Sequence, residues 1–329
     1  MSDKKLITGI KPTGTPHIGN YIGAIRPALN HSSRKSFFFV ADYHALTTCH
    51  ESKALQESIY QVAATWLACG LNPNRSYFYR QSAIPEIFEL HWILSCLSPK
   101  GLLNRSHAYK TIVDLNSDAK KDPDKGINTG LFTYPILMAA DILIFNSSHI
   151  PVGQDQKQHV EIARDIAETF NKTYQDVFIV PQPIIQSDAP TIPGTDGRKM
   201  SKSYNNVIPI FSSESDLKKK IMEIKTAPLS IEDPKDPASC PVFQLYKQFA
   251  TPTEVQQLSQ QYTQGGMGYG TAKTLLFDAI NNEISPMRTQ YNAFISHPKK
   301  IDEALSQQLG EIRKIAQRTL TCVKSVIGV

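Results

Sequence analysis

Short apolar runs alternate with longer segments of helical periodicity through the first part of the chain. Leu6–Gly9, Ser36–Ala41 (SFFFVA), Ser76–Tyr79 and Ile150–Val152 are rich in strand-forming side chains, and turn or polar residues follow them. Between them, Tyr21–Asn30, Lys53–Cys69, Ile84–Cys96, Tyr134–Phe145 and Gln156–Phe170 repeat apolar residues at helical spacing. This alternation predicts an α/β fold with a doubly wound, Rossmann-like parallel sheet. Ligands of such sheets bind beyond the carboxyl ends of the strands, near a switch in strand order.

After about Tyr204 the pattern changes. Glu214–Lys225, Gln244–Phe249, Glu254–Tyr262, Ala272–Ile284 and Ile301–Val326 read as helices, and strand signals are scarce. The proline-rich stretch Ala227–Pro241 interrupts them. The expected organisation is an α/β domain over 1–204 and a C-terminal α-helical domain over 205–329. Asp114–Asn128 (DLNSDAKKDPDKGIN) is charged and carries Pro123 and Gly126, so a mobile surface loop is expected there.

Composition narrows the class. The 329 residues are 41% hydrophobic and 20% charged, without repeats or low-complexity tracts. No apolar run approaches the roughly 18 residues of a membrane span, and the start MSDKKLITGI has no signal core, so a cytoplasmic location is expected. Cys49, Cys69, Cys96, Cys240 and Cys322 are far apart and form no C-x-x-C pair, which argues against a zinc site, an iron–sulfur site or a disulfide framework. Lys and Arg exceed Asp and Glu by 35 − 30 = 5, which suits a polyanionic partner without requiring one.

Candidate chemistry begins at Thr8–Ala24, TGIKPTGTPHIGNYIGA. It is neither a dinucleotide fingerprint nor a phosphate loop: Gly14 and Gly19 have the latter's spacing, but Asn20 and Tyr21 follow instead of lysine and a hydroxyl. The logic of phosphate binding still applies, because a strand ends, glycines allow close backbone approach and a helix starts near Asn20. His17 and Asn20 would add side-chain donors. An ordinary strand–turn–helix corner would use the same residues. A second signal, DGRKMSKS at Asp196–Ser203, places Lys199 and Lys202 three apart beside two hydroxyls. Blandly this is a solvated loop; functionally, the two lysines could close over a pyrophosphate.

HIGN followed about 180 residues later by KMSKS resembles the paired signatures of class I aminoacyl-tRNA synthetases. The resemblance implies ATP binding through Lys11, Pro12, Thr13, Gly19, Asn20, Lys199, Met200, Ser201, Lys202 and Ser203. Catalysis would fall to His17, Asn20, Lys199 and Lys202, acting on the phosphates.

One further segment selects the amino acid. LFTYPILMAADILIF (Leu131–Phe145) is nearly all apolar except Asp141, and a helix puts Tyr134, Leu137, Met138 and Asp141 on one face. A carboxylate on an apolar face needs a partner. That partner is either a basic group or helix terminus elsewhere, or a ligand donor such as an indole N–H, which donates and cannot accept. GIKPTGTPHIGNYIGA, YPILMAADIL, IPVGQDQKQHVEIARDIAETFN and GRKMSKS, in this order, closely resemble tryptophanyl-tRNA synthetases over most of the chain. Tyrosyl relatives usually carry glutamine at the Met138 position.

By that resemblance Asp141 reads the indole, Tyr134, Met138, Val152 and Gln156 complete the tryptophan slot, and Gly153, Gln154, Asp155 and Ile192 contact ATP. The resemblance also implies Mg²⁺ carried by ATP with no metal held by protein ligands, tRNA(Trp) as substrate, anticodon binding by the helical domain, and a homodimer through an insertion at about 76–130. The last helix would pack back on the α/β domain. Lys11 and Ile112 stand where many relatives have glutamine and a second lysine near Lys110, features of a divergent second-type branch. A tyrosyl enzyme, a small nucleotidyltransferase and a non-catalytic paralogue are the rival readings. Elsewhere, Gly265–Gly270 (GGMGYG) reads as an interhelical turn, Lys218–Lys220 as a solvated face, and Trp66, His91 and Trp92 as packing residues.

Overall fold

Among the described residues the parallel sheet is built from five short strands. The computed structural model describes residues 6–32, 36–153, 156–185 and 191–329. Ile7–Ile10 (β1), Phe37–Val40 (β2) and Tyr77–Arg80 (β3) pair in parallel, in register Ile7–Phe37–Tyr77. His149–Val152 (β4) pairs in parallel with Gln182–Ile185 (β5), and a parallel bridge from Leu6 to His149 joins the two ladders. The order is therefore 3-2-1-4-5, with the reversal between β1 and β4. Strand β2 is buried throughout, as a parallel strand covered on both faces must be. Its Phe38 and Val40 enter one apolar core with Trp66, while Phe37 and Phe39 enter a second with Tyr79 and Phe145.

Strand β5 has no counterpart among the sequence expectations. It contains Pro183, which cannot donate into a ladder and is tolerated because β5 lies at the edge of the described sheet. The helix expected from Tyr21 begins earlier, at Ile18, and opens into a π turn at Tyr21–Ile25 before Arg26–Asn30. Pro27 has no N–H for the Gly23 carbonyl, so regular winding cannot pass through it.

Two further expectations are corrected. The helix His107–Asp118 runs into the segment expected as a loop, because its charged residues suit a helix with no buried position as well as they suit a turn. The single helix expected over Ile301–Val326 is two, Pro298–Ser306 and Leu309–Ile327. They break where Gln307 and Gln308 turn aside to donate to Asn74 and the Pro73 carbonyl.

The helical region packs closely on the sheet layers. Tyr269–Ile295 lies against Ser52–Ala68, and Glu283 on it accepts from the Tyr21 hydroxyl and pairs with Arg26. Leu309–Ile327 lies on Pro85–Leu97, with Arg313 at 2.9 Å from Glu86 and Lys324 at 2.7 Å from Glu89. Trp66 is fully buried as expected, but Trp92 is 70% exposed on the outer side of Pro85–Leu97 and is not a packing residue. Gly265–Gly268 form the turn between helices Pro252–Gln264 and Tyr269–Ile295. All five cysteines are unpaired. Among the described residues no helix is long and apolar enough to cross a membrane.

Candidate active site

A cavity of about 570 Å³ opens beyond the carboxyl ends of β1 and β4, at the reversal in strand order. Lys11, Thr13 and Asn20 reach it from the turn after β1. Tyr134, Met138 and Asp141 reach it from the helix Thr129–Leu143, whose apolar face was expected to carry them together. Val152, Gly153 and Gln156 close the side next to β4.

The turn after β1 is set by reciprocal hydrogen bonds. His17 is the N-cap of the helix at Ile18: its Nδ1 accepts from the Asn20 N–H at 3.3 Å, and Asn20 Oδ1 accepts from the His17 N–H at 3.0 Å. With Nδ1 accepting, the remaining proton sits on Nε2. Burial, with the Lys202 ammonium nearby, holds the His17 pKa down to about 4, so the ring is neutral at neutral pH. The glycines have divided work. Gly14 has φ +92, which the turn requires. A Cβ on Gly9 would meet the Phe39 ring at 2.3 Å, so that glycine makes room for a protein side chain.

The lysine loop folds over this turn. Lys202 Nζ donates to the Thr13 carbonyl at 2.8 Å, and the Met200 sulfur accepts from the Gly19 N–H at 3.4 Å. Asn206, which is buried, holds the loop from behind: its Oδ1 accepts from Ser201 N–H at 2.8 Å, and its Nδ2 donates to Asp196 at 2.7 Å and to the Lys199 carbonyl at 3.1 Å. Lys11 Nζ donates to Thr47 Oγ1 at 2.9 Å. Burial lowers the pKa of both Lys11 and Lys202. Among the described residues neither ammonium has a carboxylate partner.

Asp141 is 1% exposed. It accepts from Gln81 Nε2 at 2.8 and 3.0 Å and from His44 Nε2 at 2.9 Å. Burial leaves its pKa above the ordinary carboxylate value, and the His44 and Gln81 hydrogen bonds offset only part of that rise. The basic partner of the first of the two readings is thus present in His44, and the carboxylate still lines the cavity. Tyr134 bonds through its hydroxyl to His159 Nε2, and both residues line the cavity. Tyr79, fully buried beside β2, has a hydroxyl without a hydrogen-bond partner among the described residues, and burial together with the Asp141 charge raises its pKa.

A family model described as class I tRNA synthetases (W and Y) matches residues 2–285. A tryptophan–tRNA ligase from Neisseria meningitidis is 45% identical over 333 residues, covering 100% of this chain and 99% of that relative. The chain belongs to the class I tryptophanyl-tRNA synthetases. A tryptophan–tRNA ligase from Pseudomonas aeruginosa is 48% identical to this synthetase over 330 residues, 98% of this chain and 73% of that relative. The crystal structure of tryptophanyl-tRNA synthetase from Campylobacter jejuni, complexed with ADP and tryptophan, matches it with a TM-score of 0.87 at 41% identity, covering 99% of this chain and 100% of that one.

Not every expected site residue of the synthetase lines the cavity. Lys11, Thr13, Asn20, Tyr134, Met138, Asp141, Val152, Gly153 and Gln156 do. Pro12, His17 and Gly19 belong to the turn itself without lining the cavity, and Lys199, Ser201, Lys202 and Ser203 lie on the loop folded over it. Ile192 and Met200 are buried in the apolar core, where the Ile192 carbonyl accepts from the Met200 N–H at 2.8 Å, and they are not among the residues lining this cavity. Gln154 and Asp155 lie outside the described residues. Sequence reasoning missed His44, Gln81, Thr47 and His159. Their signal was available for the first two: each follows a strand, in VADYH after β2 and YRQS after β3, where a parallel sheet exposes its ligand-facing groups.

Proposed function

We infer that this cavity is where tryptophan and ATP react to form tryptophanyl-adenylate and pyrophosphate, the first half of tryptophan–tRNA ligase activity. One observation carries the reading. The cavity joins a buried carboxylate in an apolar wall at one end to a helix N-terminus with two lysines nearby at the other. Tryptophan's indole N–H donates to Asp141, against Met138, Tyr134 and Val152. Its carboxylate oxygen attacks the α-phosphorus of ATP, the bond to the bridging oxygen breaks, and pyrophosphate leaves with that electron pair. The attacking group is already ionised, so no general base is needed, and alignment with charge stabilisation does the work.

Lys11 faces the α-phosphate. Lys202 and Lys199 swing onto the β- and γ-phosphates, and His17 Nε2–H and the Asn20 amide donate to the same chain. Mg²⁺ arrives with the nucleotide, as the family resemblance implies. A ribose hydroxyl of the terminal tRNA adenosine, the 2′-hydroxyl by family resemblance, then takes the tryptophanyl group from the adenylate and releases AMP.

Residues 205–329 are assigned to the anticodon arm of tRNA(Trp), and the exposed Trp92 face of Pro85–Leu97 to a homodimer contact in a cytoplasmic enzyme. The test is ATP–pyrophosphate exchange driven by single amino acids. Tryptophan should support it and tyrosine should not; exchange with tyrosine alone would overturn the reading.

A further inference from the structure

Asp141 is held more completely than a solitary acceptor needs. Gln81 is fully buried in the short turn Gln81–Ala83 that follows β3. Its Oε1 accepts from the His44 backbone N–H at 3.3 Å. Only the carbonyl oxygen of the amide can accept there, so Nε2 must face Asp141, where it donates to Oδ1 at 2.8 Å and Oδ2 at 3.0 Å. The His44 ring donates from Nε2 to Oδ2 at 2.9 Å. The turn is pinned in its own right, since the Ser82 N–H and hydroxyl both donate to Asp42 at the end of β2.

An ionised carboxylate offers about four acceptor positions. Among the described residues Oδ2 receives two donors and Oδ1 receives one, which leaves a single open position, on Oδ1. We propose that Gln81 is the positioning residue for tryptophan selectivity: by bridging both Asp141 oxygens it stops the carboxylate from rotating and aims the open Oδ1 position at the indole N–H. This rests on the reading of Asp141 as the indole acceptor. Without Gln81 the carboxylate turns toward His44, and the slot keeps its shape but loses its directed acceptor. Shape alone discriminates weakly between isosteres, whereas a placed acceptor discriminates strongly against an analogue lacking the N–H.

The experiment compares exchange kcat/KM for tryptophan and for its benzothiophene analogue, which has the same outline but sulfur in place of N–H. Wild type, Gln81→Met and Asp141→Ala are measured, with thermal melts to verify folding. In Gln81→Met the preference for tryptophan should fall roughly tenfold or more, through tryptophan KM rather than kcat. Equal losses with both amino acids would show that Gln81 merely supports the fold, and an unchanged preference would equally overturn the proposal. If Gln81→Met does not fold, Gln81→Leu removes the same donor and must show the same fall. Asp141→Ala separates the two readings. If it abolishes the preference while the Gln81 variants keep it, only the positioning role fails. If it leaves the preference intact, the indole assignment itself fails.

Discussion

The two ends of the cavity are built on opposite plans. At the end proposed for the indole, Asp141 is almost fully enclosed and takes hydrogen bonds from groups on two other elements, each itself anchored. At the end proposed for the phosphates, the cations rest on weak acceptors, Lys11 on the Thr47 hydroxyl and Lys202 on the Thr13 carbonyl. The difference suits the two tasks proposed for these ends. Selecting one side chain needs a lone pair fixed before the ligand arrives, because preorganisation lowers the cost of binding. Neutralising charge as pyrophosphate leaves needs cations that can move, and an ammonium on a neutral acceptor is released more easily than one in a buried ion pair.

The comparison can be broken at several points. Lys202→Ala should lower ATP–pyrophosphate exchange by about 10³-fold, with tryptophan affinity nearly unchanged, since the lost charge acts chiefly in the transition state. Comparable losses in rate and in tryptophan binding, measured by exchange kinetics and calorimetry, would place Lys202 in the fold instead. Asp141→Ala should raise the tryptophan KM by about 10²-fold, the scale of a lost charged acceptor in a buried site. A KM within twofold of wild type would reduce Asp141 to a structural anchor.

The turn between the two ends can be tested through acid. His17 keeps a pKa of about 4 in the fold against 6.5 ordinarily, so the unfolded chain binds the extra proton between those values. That stability is present above pH 6.5 and is lost as pH falls toward 4, by about 2 kcal/mol between pH 7 and 5. His17→Asn, which keeps an N-cap acceptor but cannot titrate, should flatten this acid limb in thermal melts recorded against pH. An unaltered limb would assign the acid sensitivity to other groups. The smallest effect should come from Lys11→Gln, about a fewfold rise in the KM for ATP, because Lys202 and the helix terminus remain. A rise confined to tryptophan KM would move Lys11 to the other end of the cavity.

Much of this arrangement is legible residue by residue. Alternating strand and helix patterns locate four of the five strands to within a residue, and Asp141, alone among apolar neighbours, announces that it needs a partner. HIGN and KMSKS announce a nucleotide, and the lysine loop does fold onto the turn after β1. Local reasoning failed where two structures share one composition. A charged stretch became the end of the helix His107–Asp118, a proline-bearing segment became an edge strand, and Trp92 shares Trp66's helical periodicity but not its burial.

The sequence by itself determined most of the elements and the class of fold, because periodicity, capping and turn chemistry act over a few residues, and its motifs carried the family resemblance that implies a nucleotide and an indole. Tertiary structure alone decided that His44 and Gln81 meet Asp141 across separations of 97 and 60 residues. It also decided that Gly9 yields space to Phe39, and that His17 spends one nitrogen on its own helix. Those outcomes depend on the order in which strands lie side by side, and no short-range pattern encodes that order.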